Sequence, residues 1–262
     1  MQSYGPLDRF PLWGVFAAVL LLVLLSVEAG YRLGQYRRRQ PERELEAPVG
    51  AMVGATLGLL AFMLAFTFGS AAERFDSRKQ VLLDEANAIG TAYLRAGILP
   101  DRRQEIRDLL REYVDTRLQA VQSNRIAEGI RRSEKLQDEL WAHAIVLGER
   151  NPASIVVGLF VESLNEVIDI HTKRVTVAVR NRIPGAIWLA LLAVAVIAFA
   201  AMGYHVGLSG TSRSLAQVAV ALTFSVVIEL IADLDRPQEG TITVSQQALV
   251  DLRQSMQGPR PP

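Results

Sequence analysis

The stretch 50-GAMVGATLGLLAFMLAFTFGSAAERFDSRKQVLLDEANAIGTAYLR-95 decides the fold. Its first part, Gly50 to Phe68, contains no ionisable residue. A helix crosses hydrocarbon with roughly 20 apolar residues, and this run has that length. The second part is amphipathic. Phe75, Leu82, Ala86, Ile89 and Tyr93 recur near helical spacing, and Glu73, Asp76, Gln80, Asp84, Asn87 and Thr91 form a polar stripe at steps of three and four. Neither part holds a proline. The pattern predicts a single helix that crosses a membrane and continues into water. Gly50, Gly54 and Gly58 fall at i, i+4 and i+8, a spacing that lets helices approach closely in lipid. Phe62 and Phe66 extend that stripe.

Upstream lies another apolar run, Phe10 to Val27, with Trp13 and Tyr31 placed for the two interfaces. It is long for the apolar core of a signal peptide, and no small-x-small site closes it. Glu28 near its end reads as an interfacial carboxylate beside Arg32. A charged loop, GQYRRRQPERELEAP, leads back to the deciding helix.

Downstream, Gly97 and Pro100 end that helix. Asp101 and Gln104 have capping-box spacing for the next one. Its apolar face is Ile106, Leu109, Leu110, Tyr113, Val114, Leu118 and Val121. A further soluble helix is expected over about Ile126 to Leu147. Asn151-Pro152 reads as an N-cap with proline at the first helical position, opening a helix that reaches Pro184. The third and fourth spans are Ile187 to Tyr204 and Leu215 to Ala232. In the polar tail, Thr241 to Val244 alternates weakly like a strand, and the final GPRPP is expected to lack structure.

The fold class is therefore all-α: a polytopic membrane protein with four transmembrane helices and a helical soluble insert between the second and third. The expected segments are 1–69 (spans one and two), 70–183 (insert), 184–233 (spans three and four) and 234–262 (tail). Four spans put both termini and the insert on one side. Arg74, Arg78, Lys79, Lys173, Arg174, Arg180, Arg182 and Arg236 flank spans there, against Arg32, Arg37, Arg38, Arg39, Arg43 and Arg213 opposite. That balance makes the insert side cytoplasmic.

A net charge of +1 gives no pull toward nucleic acid, and the lack of cysteine excludes disulfides and thiolate chemistry. No HExxH, GxSxG, GxxxxGK or GxGxxG pattern occurs. His143, His171 and His205 lack metal-ligand spacing. Glu162, Glu166, Asp169 and Lys173 share a helix face, as they also do on an ordinary solvated helix. An enzyme is not expected. One oxygen-rich run, Asp233-Leu-Asp235-Arg-Pro-Gln-Glu239, follows the fourth span. Such a turn suits a hard cation such as Ca²⁺, although its spacing is not that of an EF-hand, and a plain helix exit explains it equally.

Three segments carry a family resemblance. Phe66, then Arg74-Phe75, then Asp76-Ser77-Arg78-Lys79 resemble the end of the second-span neck in bestrophins. LLDEANAIGTAYLRAGILP (82–100) and DLDRPQEGTITVSQQAL (233–249) resemble an uncharacterised bacterial family termed bestrophin-like. Bestrophins are pentameric anion channels whose second helices line a pore with an apolar neck. The resemblance implies a bacterial cytoplasmic-membrane homo-oligomer that conducts small ions, anions by analogy. It puts Gly58, Phe62 and Phe66 at the neck. Glu73, Arg74, Asp76, Arg78, Gln80, Asp84 and Asn87 follow in the vestibule, with Gly50 and Gly54 as helix-packing positions. Asp233, Asp235 and Glu239 fall near the family's calcium-binding acidic cluster. The chain departs from the family in lacking the tryptophans after Arg74, in an earlier basic pair and in a thinner acidic cluster. Two other readings stay open: a non-conducting scaffold or sensor whose insert binds a cytoplasmic partner, and a transporter or intramembrane enzyme using Glu28 and Glu229.

Overall fold

The computed structural model describes residues 10–40, 46–211, 214–237 and 240–258, all helical or irregular. The chain divides into two compact units: Met1–Phe75 with Arg182–Thr243, and Asp76–Asn181 with Val244–Pro262.

Among the described residues four helices are long and apolar enough to span a membrane: α1 (Leu12–Arg38), the first part of α2 (Glu46–Ala96), α6 (Gly185–Ser209) and α7 (Leu215–Asp235). At 1.5 Å per residue the 51-residue α2 is about 76 Å long, more than twice the hydrocarbon thickness. Only its first part is apolar, so the rest is free to serve the second unit.

In the first unit the core is Val15, Val19 and Val23 of α1, Leu60 and Leu64 of α2, Trp188, Leu191 and Phe199 of α6, and Ala221, Ile228 and Ile231 of α7. Phe199 meets Phe224 edge to face at 5.3 Å. The closest helix pair is α1 with α6. A Cβ on Gly30 or Gly34 would collide with the backbone of Ala200 or Tyr204. One on Gly203 or Gly207 would collide with that of Val27 or Tyr31. These are two facing small-xxx-small motifs, and without side chains the backbones touch. The Ser214 hydroxyl and Gln217 amide close a capping box at the start of α7.

The second unit contains the rest of α2, then α3 (Arg103–Gln122), α4 (Ile126–Arg150), α5 (Ile155–Val175) and α8 (Gln247–Met256). A π-helical stretch, Thr176–Arg180, extends α5. Ile89, Leu99, Ile106, Leu110, Tyr113, Leu136, Leu140, Leu147, Phe160 and Leu164 form its core. Gly129 of α4 is set against Ala120 of α3, where a Cβ would clash.

Several local expectations are corrected. Asp101 and Gln104 form no capping box: Arg102 is the N-cap, left-handed at φ 54°, and Gln104 instead donates to Asp108. Asn151 caps the end of α4, and Ser154 caps α5, accepting from the Val157 N–H. The α1 helix runs on to Arg38, well into the expected charged loop. Thr241 to Val244 form no strand. The tail holds the unexpected α8, whose Leu249 and Met256 are buried. Tyr93 Oη and Arg111 Nε donate to the Met256 carbonyl at 2.9 and 3.1 Å, and Arg253 pairs with Asp115 at 2.5 Å. Pro259 to Pro262 and Glu239 lie outside the described residues.

Candidate functional site

Counting along α2 from Gly50 gives one unbroken series at steps of three and four: 50, 54, 58, 62, 66, 69, 73, 76, 80, 84, 87, 91. On a helix Gly58, Phe62, Phe66, Gly69 and Glu73 lie within a quarter turn of one another, as do Asp76, Gln80, Asp84, Asn87 and Thr91, whereas Gly50 is turned nearly half a turn from Phe66. In the first unit Gly50 rests against the His205 ring, while Gly54, Gly58 and Gly69 face open space. Phe62 and Phe66 are 68% and 71% exposed, although phenylalanine ranks among the residues most often buried. Glu73, still in the first unit, is exposed; in the second unit Asp76, Gln80, Asn87 and Thr91 are exposed and Asp84 half-buried. Gln80 donates to Asp84 at 2.8 Å.

The two arginines expected in the vestibule are set apart from it. Arg78 is only 5% exposed. Arg74 is half-buried, and its guanidinium donates to the Ser70 carbonyl at 3.1 Å. They are turned about 100° and 140° from Glu73, since they follow it by one residue and by five. The charges on the face itself are therefore Glu73, Asp76 and Asp84.

At the end of α7, Asp233 and Asp235 are each 3% exposed. Asp235 accepts from Arg182 Nε at 3.1 Å and from the Ile183 N–H at 2.9 Å. Asp233 accepts from the Thr241 N–H at 2.9 Å and from the Thr241 hydroxyl. Gly240 passes so close that a Cβ there would strike the Asp233 carboxylate. Among the described residues no three His, Asp or Glu side chains group as metal ligands.

The second unit also holds a buried polar layer that the sequence reading missed. Glu85 of α2 is fully buried between Arg117 of α3, at 3.2 Å, and Arg174 of α5. Arg174 also donates to Gln246 at 3.0 Å. Beside them Gln137 donates to the Tyr113 phenol at 3.3 Å, and Tyr113 Oη lies 3.0 Å from His171 Nδ1. With the phenol oxygen accepting from Gln137, its own proton serves Nδ1, which leaves the proton of neutral His171 on Nε2. Burial pushes Tyr113 up to about 12. Burial, and then the Arg117 charge, push His171 down to about 4.

That shift fixes a pH dependence. Between about pH 6.5 and 4 the unfolded chain takes up a proton on residue 171 that the folded chain refuses. The contribution is complete above pH 6.5 and drains away as pH falls toward 4, by on the order of 3 kcal/mol. Thermal unfolding of the helical signal should fall over that window. His171→Asn keeps an acceptor for Tyr113 but does not titrate, so it should show a shallower fall. Parallel curves for the two proteins would refute the assignment.

A family model described as a Bestrophin-like domain matches residues 17–249. No curated protein matches. Crystal structures of point mutants of a bacterial bestrophin homologue from Klebsiella pneumoniae share the fold. One, 16% identical, covers 92% of this chain and 97% of that chain at a TM-score of 0.68. Another, also 16% identical, covers 92% and 99% at 0.67. A crystal structure described only as a membrane protein is 18% identical and covers 94% and 100% at 0.63.

Proposed function

Because this chain belongs to the bestrophin-like family, we propose that it is an oligomeric ion channel whose α2 helices line a central pore. The observation that carries the reading is the exposed face of α2. Phe62 and Phe66, one turn apart, leave most of their surface uncovered in a single copy. In a ring of copies, five by resemblance, they stack as two aromatic collars. An apolar constriction of this kind gates by dewetting, since an ion must shed water there without polar compensation. The open Gly54 and Gly58 allow neighbouring helices to close in above the collars. The Lys and Arg balance around the spans supports an insert and termini facing the cytoplasm of a bacterium.

Family analogy carries an expectation of anion conduction. The exposed charges favour the opposite. Glu73, Asp76 and Asp84 would repeat as acidic rings in the vestibule, and carboxylate rings concentrate cations. Arg78 is withdrawn into the unit, and Arg74 is turned back on Ser70.

The test is ion flux into liposomes holding the purified oligomer. Replacing Phe62 and Phe66 together by alanine should widen the collars and raise flux several-fold. In a salt gradient the reversal potential should sit on the cation side, and Glu73→Gln with Asp76→Asn should move it toward chloride. A wild-type potential on the chloride side would overturn the cation preference alone. Silence from wild type and from the double alanine variant, with the oligomer intact, would overturn the channel.

In that event the scaffold reading takes its place, and one feature favours it. Leu94, Ile98, Ile155 and Leu159 are exposed on the soluble unit. Arg95 donates to the Leu159 carbonyl at 2.6 Å and so brings the end of α2 to the start of α5. An apolar patch of this kind suits a protein partner.

A further inference from the structure

We propose that this chain secures the end of α7 with an internal cation, the Arg182 guanidinium, and that this closure is independent of calcium. The acidic run after α7 resembles a calcium site in composition. Its two described carboxylates, Asp233 and Asp235, are already committed. Both oxygens of Asp235 accept hydrogen bonds, one from Arg182 and one from the Ile183 N–H. Both oxygens of Asp233 accept from Thr241, one from its N–H and one from its hydroxyl. Ca²⁺ takes six to eight oxygen ligands at about 2.3–2.6 Å, with their lone pairs turned inward. Here the lone pairs are turned to N–H and O–H groups, and the counter-charge of Asp235 is already buried beside it. An approaching Ca²⁺ would have to expel a guanidinium whose side chain is 10% exposed.

The same bonds show what the closure does. Asp235 ties the end of α7 to Arg182 and Ile183, in the segment that leads into α6. Asp233, eight residues before Thr241, folds the tail back across the helix end, and Gly240 leaves room there for the Asp233 carboxylate. Arg236 adds a bond from its guanidinium to the Phe10 carbonyl at 2.6 Å, which brings in the start of α1. One charged pair thus sits at the meeting of three chain segments within the first unit. A metal clasp responds to ion concentration, whereas this one is permanently loaded.

The experiment is thermal unfolding of the purified full chain in detergent, in millimolar calcium and in chelator. Wild type should unfold at one temperature in both. Arg182→Gln and Asp235→Asn should each unfold lower, again without a calcium effect, because each breaks the buried ion pair. The double variant removes both charges and should unfold above either single variant. Arg182→Lys, which keeps the charge but not the planar fork, should fall between wild type and Arg182→Gln. A saturable calcium-dependent rise in wild type that Asp235→Asn abolishes would overturn the proposal. Additive losses in the double variant would overturn it as well. The calcium titration of wild type needs no variant to fold, and none of these readings depends on whether the protein conducts.

Discussion

Gly203→Leu is expected to leave no monodisperse, folded protein in mild detergent. In α6 the Gly203 Cα faces the Val27 carbonyl of α1, and a Cβ would overlap that oxygen. The atom it meets is backbone, so no rotamer change relieves the clash. The two helices would have to separate, and the contacts at Gly207, Gly30 and Gly34 would open with them. Inside a membrane such contacts matter more than elsewhere, because lipid offers apolar side chains as good an environment as a neighbouring helix does. Close backbone packing is then one of the few terms that favour association, with Cα–H to carbonyl contacts adding a little. Overpacking a tight site costs about 1–3 kcal/mol when side chains can shift, and here they cannot. Gly203→Ala should already lower the unfolding temperature, and Gly203→Leu should abolish the folded fraction. Gly54→Leu supplies the contrast, since Gly54 has nothing within 4 Å in its own chain. It should leave the single-chain fold intact and act only on assembly. Size-exclusion profiles and helical content separate the outcomes. A Gly203→Leu protein with wild-type elution and unfolding temperature would remove α1–α6 contact from the account of stability.

The glycines also show what was legible in the sequence. The spans were readable because hydrocarbon demands long apolar helices, and α1, α2, α6 and α7 each contain such a run. Gly50, Gly54 and Gly58 drew attention as a small-residue stripe, yet the pair that packs within the chain is Gly30/Gly34 with Gly203/Gly207. Its four-residue spacing is present in the sequence, at or just past the far ends of the first and third apolar runs. Nothing local said which helices would meet, since that depends on topology. At α3 and α5 the boundary residues were misplaced because Asp and Asn satisfy backbone groups in more than one way. Asn151 donates to the Leu147 carbonyl behind it instead of accepting from the helix ahead. Helix α8 went unread because ten residues with two buried apolar anchors make a weak periodic signal. The resemblance places Arg78 in the vestibule, but its position relative to Glu73 puts it on another face. On a helix the angle decides which surface a residue serves, and the stripe from Phe62 to Thr91 was readable in those terms.

Glu85→Ala is expected to destabilise the second unit by about 3–5 kcal/mol, a large fraction of what a domain of this kind possesses. Glu85 sits among the apolar positions of the α2 periodicity, so in sequence it looks like a solvated charge out of place. In the structure it is fully buried and faces Arg117 and Arg174 from two other helices. Burial lowers the pKa of both arginines, which is to say that the site already resists their charge. Without Glu85 two guanidinium groups would remain in the interior with no carboxylate between them. Glu85→Gln keeps the volume and one acceptor, and should lose less than alanine does. Replacing Glu85, Arg117 and Arg174 together with apolar residues of similar size should recover much of the loss, because desolvation of the ions disappears along with their attraction. The exposed pair Arg132–Glu112 serves as the control, and Arg132→Ala should barely move the unfolding midpoint. Denaturant titrations followed by helical content would measure all four variants. A midpoint for Glu85→Ala as close to wild type as that of Arg132→Ala would mean that water reaches the layer and that the ion pairs do not hold α2, α3 and α5 together.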